Sequence, residues 1–364
     1  MSGNLVFYAG TKAMHAISRN GLSPDMVKTV LGAAGGPKWL VLHGLDRAIF
    51  SSWFSDRTEP LFLLGSSIGA WRFAAVSQND PLEALDRFLS AYTAQRYSPN
   101  PEREEITLEC AKMLEALLGG SGIEEILHHP FFRLGVFTAH CKWPVASDNK
   151  VLLALGLLDA AIYNAVHRAG LRFFFDRVLF FDPRNPPPLG EMSDVDTKKI
   201  PLSAKNLKDV LLASGSVPLL MPGVNNIPDA PRGTYRDGGI IDYHFDLPIQ
   251  RDDDTAHELI LFPHYTDRII PGWFDKRLPW RKPREANVDR LLLVSPSKQF
   301  IERIPYKRIP DREDFPFFKG RDEERVAYWN EVIEASAYLG EEFLDAVETG
   351  TIRELVKPIA GLMR

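Results

Sequence analysis

Two short apolar runs, each closed by glycines and followed by helical spacing, organise the first eighty residues. Residues 26–32 (MVKTVLG) read as a buried strand that ends in the glycine-rich GAAGGPK. Residues 39–50 then carry Trp39, Leu42, Leu45, Ala48 and Ile49 at helical spacing, with Pro37 near the first turn. Residues 61–64 (LFLL) repeat the strand pattern, and 68–76 form a second helix. Strand, tight loop and helix, twice over, predict a parallel sheet with helical crossovers.

Further along, 81–98 and 105–128 show helical patterns, the latter broken by Gly-Gly-Ser-Gly at 119–122. Residues 132–140 alternate like a strand, 150–170 read as a buried helix, and 176–181 as a strand before a proline-rich loop. A helix is expected from about Ser203, a strand end and turn over 234–244, strands at 258–263 and 289–296, and a long helix over 322–348. No linker divides the 364 residues, which predicts a single catalytic domain over 1–364. The motif-bearing core would span 26–248. Residues 81–200 would form a helical, lid-like insertion, and 249–364 would complete or decorate the core with strands and helices.

Composition narrows the class. The chain is 45% hydrophobic and 25% charged, with a formal net charge of −5. That balance argues against a nucleic-acid partner. Cys110 and Cys141 give no disulfide framework and read as core thiols of a reducing compartment. Neither a signal-peptide pattern nor an apolar run of bilayer length is visible, so the expected location is cytoplasmic. No metal-ligand spacing appears, and no cofactor is expected. The oligomeric state stays open.

The chemistry centres on Gly65-Ser66-Ser67-Ile68-Gly69. A serine on a sharp strand-to-helix turn projects its hydroxyl away from the sheet, and glycines two residues away relieve the crowding of that turn. The following helix would set its positive end beside an oxyanion. The alternative is a glycine-rich packing turn. Gly32, Gly35, Gly36, Pro37 and Lys38 match neither a P-loop nor a dinucleotide-binding turn. Their bare backbone suits an oxyanion hole with Lys38 adding positive potential, or else an ordinary turn. His244, His257 and His264 lie where a hydrolase histidine would fall, without a motif around them. Asp237, followed by Gly238 and Gly239, offers a carboxylate on a tight turn. It can act as a general base if burial raises its proton affinity, or it can simply build a turn.

Taken together, these segments resemble the patatin-like phospholipase family. Gly35-Gly36-Pro37-Lys38 resembles the family's oxyanion loop, Gly65 to Gly69 its nucleophile motif, and Asp237-Gly238-Gly239 its Asp-Gly-Gly motif. Residues 211–224 (LLASGSVPLLMPGV) resemble the small-residue segment that precedes that aspartate. The resemblance implies a three-layer α/β/α sandwich with a central, mostly parallel sheet and extra helices. It also implies a lipid acyl hydrolase in which Ser67 is the nucleophile and Asp237 its base. Gly35, Gly36, Lys38, Gly65, Gly69, Gly238 and Gly239 would shape the oxyanion and substrate site. Trp39 after the lysine, and Pro37 with its missing N–H, depart from the family loop.

Other acyl chemistry fits the same residues: a thioesterase, a polyester depolymerase or an acyltransferase. So does a non-catalytic lipid-binding protein, and a histidine-triad hydrolase is a further alternative. Residues 268–284 mix Trp273, Phe274 and Trp280 with six basic residues. They are expected either to touch a membrane peripherally or to pack their aromatics onto the body.

Overall fold

The computed structural model describes residues 3–249 and 258–362. His257, one of the three histidines singled out above, lies outside them.

An eleven-stranded mixed sheet runs through the molecule, flanked by helices. Its strands are β1 (Leu5–Ala9), β2 (Val27–Gly32), β3 (Leu61–Ser66), β4 (Phe132–Cys141), β5 (Phe175–Phe181), β6 (Thr197–Pro201), β7 (Val224–Asn225), β8 (Thr234–Asp237), β9 (Leu259–Pro263), β10 (Leu291–Pro296) and β11 (Val356–Pro358). The order across the sheet is β11-β1-β10-β9-β2-β3-β4-β5-β6, with β8 added beside β4 and β7 beside β8. The central run β10-β9-β2-β3-β4 is parallel throughout. That explains the nearly unbroken apolar character of its strands, which helices cover on their faces. Residues 81–200, expected as a helical insertion, hold helices to His128 and the helix Lys150–Val166, but also supply β4, β5 and most of the edge strand β6.

The segment 36–53 is one helical path that starts as a tight 3-10 turn (Gly36–Leu42), relaxes to α (His43–Arg47) and widens to a π turn (Ala48–Trp53). The long helix Asp322–Glu348 packs along it. Arg72, in the helix Ile68–Val76, is fully buried and clamps Asp46 with two hydrogen bonds of 2.7 and 2.5 Å. This fork ties the helix Ile68–Val76 to the 43–47 turn. Among the described residues, no helix is long and apolar enough to cross a membrane.

Candidate active site

The carboxyl ends of parallel strands are where an open α/β sheet offers a crevice. Gly32 at the end of β2 is in register with Gly65 near the end of β3, so the two glycine loops leave the sheet side by side. A methyl group on Gly69 would overlap the Gly32 carbonyl, and one on Gly65 would press on Ala70. The two motif glycines therefore allow the turn to fold back on itself and to rest against the neighbouring loop. Ser67 pays for that geometry with φ 54° and ψ −128°, a region an L-residue enters only under strain.

β8 brings the third motif. It runs antiparallel to β4 and ends with Asp237 opposite Thr138, while β3 runs parallel to β4 and ends with Ser66 opposite Phe137. The Ser67 hydroxyl donates to Asp237 Oδ2 at 2.7 Å. The other carboxylate oxygen accepts from the Gly239 N–H at 2.7 Å. A methyl on Gly238 would collide with the Phe137 carbonyl, and one on Gly239 would crowd Ala34 of the first glycine loop. All three motifs thus meet at their glycines.

Both members of the pair are buried. Burial pushes the Asp237 carboxyl above the ordinary aspartate value, against the Arg312 charge and the hydrogen bonds from Ser67 and Gly239. Ser214 holds the turn from behind. Its hydroxyl accepts the Ser67 N–H at 2.8 Å and donates to the Phe137 carbonyl at 2.7 Å. Ser214 lies in the 211–224 segment, on the helix Leu207–Gly215.

Lys38 is engaged by Asp311 at 3.0 Å. Although burial opposes its charge, Tyr243 and Asp311 hold the ammonium above its usual value. Gly36 takes the left-handed φ of 57°, and a methyl there would press on Arg312. Arg312 and Asp311 belong to a stretch near the C-terminus that no motif marked. Their approach to the glycine loop is a long-range contact without a local signal in the sequence.

Two cavities adjoin the pair. One, of about 460 Å³, opens from Ser67 between Trp71, Ile106, Met113, Leu220 and Phe315 and is largely apolar. The other, of about 230 Å³, borders Asp237 and gathers Lys38, Lys276, Tyr243 and Glu313. Val217 and Arg312 line both. Lys276 stands 3.9 Å from the centre of the Tyr243 ring. Cys110, read as a core thiol, is half-buried and forms part of the apolar cavity wall, whereas Cys141 is buried.

The described histidines do other work. His244 Nε2 lies 2.6 Å from the Tyr265 hydroxyl, which donates to the Ala34 carbonyl at 2.6 Å. His264 bonds to the backbone of Thr266. Both rings are buried, and burial draws their proton affinity down. They stand behind the glycine loop rather than beside Ser67, whose hydrogen bond goes to Asp237. Within 268–284, Trp273 and Phe274 pack against a small core cluster and Trp280 is exposed. Among the described residues, no group of three His, Cys, Asp or Glu side chains could hold a metal ion.

No family model matches the sequence, and no curated protein matches it. Among solved structures, the chain is similar to human GIVD cytosolic phospholipase A2, at 12% identity and a TM-score of 0.37, over 97% of this chain and 67% of that one.

Proposed function

We propose that this chain is a serine acyl hydrolase that cleaves the carboxylic esters of lipids, in the manner of a phospholipase A. The observation that carries the reading is the 2.7 Å hydrogen bond from the Ser67 hydroxyl to a buried carboxylate. A carboxylate whose proton affinity is raised by burial is a competent base for a hydroxyl already bonded to it.

In this mechanism Ser67 Oγ attacks the ester carbonyl as its proton passes to Asp237. The resulting oxyanion rests against backbone N–H groups of the glycine loop at Gly35 and Gly36, beside the first turn of the helix Ile68–Val76. The Ser67 N–H is committed to Ser214 and takes no part. Collapse of the intermediate breaks the C–O bond, and the departing alkoxide takes the proton from Asp237. Water then attacks the acyl-enzyme, giving its proton to Asp237; the bond to Ser67 Oγ breaks, the leaving oxygen takes that proton back, and the free fatty acid is released.

The apolar cavity beside Ser67 suits an acyl chain, and the cavity of mixed charge beside Asp237 suits a polar leaving group. A fluorophosphonate probe tests the reading, because it labels only an activated serine. Labelling is expected in the wild-type chain and absent in Ser67→Ala. An unlabelled wild-type protein of normal fold would favour a non-catalytic lipid-binding role. A series of p-nitrophenyl esters and phospholipids would then separate this activity from thioester or polyester cleavage.

A further inference from the structure

The helix Lys150–Val166 carries its apolar residues on two faces. Leu153, Gly156, Leu157 and Ala160 are buried against the body. On the other side Val151, Leu155, Leu158, Ile162 and Val166 recur every three or four residues, and each is more than half exposed, Val166 reaching 84%. Tyr163 and Phe173, in edge-on ring contact at 5.7 Å, widen the stripe, and Trp143 at 71% exposure stands in the loop that enters the helix. A helix at the surface of a globular protein normally turns charged and polar residues outward; an outward stripe of this size marks a docking face.

We propose that this face docks on an anionic lipid bilayer, with Trp143, Phe173 and Trp280 at the headgroup boundary. Charge complementarity supports that occupant. The turn Trp273–Arg277 packs against the helix, and Arg281 donates to the Asn164 carbonyl at 2.6 Å. This places Arg277 and Arg281, with Trp280 at 65% exposure, along the flank of the stripe; Arg277 is exposed, and Arg281 also faces Asp275 at 3.4 Å. Lys150 is exposed at its start. Asp159 is the sole acidic residue of the helix, in a chain whose formal charge is −5. Basic residues beside aromatics and an apolar helix face are the combination that binds an anionic headgroup layer.

A second argument rests on the acyl-hydrolase reading. Arg103 donates to the carbonyls of both Asp148 and Leu219, and the Gly223 N–H donates to the Asp148 carboxylate. These bonds join the loop entering the helix to the rim of the apolar cavity, where Leu219 and Leu220 are also exposed. A membrane seated on the helix would therefore lie beside the mouth through which an acyl chain reaches Ser67.

The test is flotation of the full chain with phosphatidylcholine vesicles, with and without one third phosphatidylserine, at low and high salt. Turnover of soluble p-nitrophenyl butyrate is measured in parallel. Wild type should float with the anionic vesicles, at least tenfold more weakly with phosphatidylcholine alone, and be released by salt. Leu155→Glu/Ile162→Glu should lose at least tenfold in vesicle binding, and Arg277→Glu/Trp280→Ala should weaken it. In both, the melting temperature and butyrate turnover should be unchanged. Wild type that fails to float at low salt overturns the proposal, as does Leu155→Glu/Ile162→Glu floating like wild type. A dimer that this variant converts to monomer, without flotation of either form, overturns it too and assigns the face to a second copy. Absence of butyrate turnover in a wild type that floats would count against the hydrolase reading alone.

Discussion

Ser66 and Asp237 stand across from consecutive residues of one strand, Phe137 and Thr138 of β4. β3 and β8 approach each other along the same edge of β4 and stop one rung apart. Each then turns away, and 170 positions of sequence reduce to a single hydrogen bond between Ser67 and Asp237.

Asp237→Asn keeps the shape of the side chain and removes its basicity. Ester turnover should fall about 10²–10⁴-fold. Because burial raises the folded-state proton affinity, Asp237 stabilises the fold fully only below its unfolded value, and that contribution is lost as pH rises through the folded value. The neutral amide mimics the protonated form, so the variant should melt no lower than wild type at pH 7. For the same reason, the acid limb of kcat/KM in wild type should lie above the ordinary aspartate value of 3.8. Parallel melts and a pH–rate profile check both points.

Ser214→Ala leaves the Ser67 N–H and the Phe137 carbonyl without their shared partner. Leaving such groups unsatisfied costs about 1–3 kcal/mol. Since Ser214 only positions the turn, kcat should drop about tenfold while KM changes little. Steady-state kinetics with a thermal melt will show whether the two effects appear together.

Gly69→Ala should be far more damaging than its chemistry suggests, because the added methyl meets the Gly32 carbonyl rather than a side chain that could move. Overpacking of this kind costs about 1–3 kcal/mol or more. Gly120→Ala is the matched control: nothing lies within 4 Å of a methyl there, and its stability should be unchanged or slightly higher. Urea denaturation of the pair measures the contrast.

Arg177 is buried between Asp242 and Asp194, with hydrogen bonds of 2.6 and 3.1 Å, and Arg168 links Asp194 to Asp275. This network anchors the chain directly after the Asp-Gly-Gly turn. Arg177→Met takes from buried Asp242 the arginine that bonds both its oxygens and leaves Asp194 to Arg168 alone, and should cost about 3–5 kcal/mol. Although burial opposes ionisation, Arg177 and Arg168 hold the Asp194 carboxyl well below the usual range. Its stabilisation is present above the unfolded value and is lost as pH falls through the folded one. The melting temperature of wild type should therefore fall more steeply with acidification than that of the variant.

Cys110→Phe narrows the apolar cavity without touching the dyad. The ratio of kcat/KM for a long-chain p-nitrophenyl ester to that for the butyrate should fall at least tenfold, read from a chain-length series.

The central strands were legible because they are buried on both faces, and β2 and β3 also run into glycines; β2, β3, β4, β5, β9 and β10 all fall on apolar runs that the sequence displays. The strands that escaped notice have physical reasons to be quiet. β6 (Thr197–Pro201) is an edge strand with two lysines and a solvated face, and β11 has three residues. β1 (Leu5–Ala9) is brief, with alternate residues only half-buried. At the site, Ser67, Asp237 and their glycines announced themselves because a strained turn and close backbone approach demand particular residue types. Ser214 lay within a recognised segment but carried no sign that its hydroxyl would bridge Ser67 and Phe137. Arg312 reaches the glycine loop through tertiary packing alone, and the exposed stripe of 150–166 read as core because periodicity reports apolarity, not what covers it.

The head-on meeting of β3 and β8 makes the pair an all-or-none object. Side chains alternate between the faces of a sheet, so displacing β8 by one residue would send the carboxylate to the far side of the layer. Substitutions around the turn can tune the pair, but a single-residue insertion or deletion within 234–237 would erase it while leaving the rest of the sheet able to form.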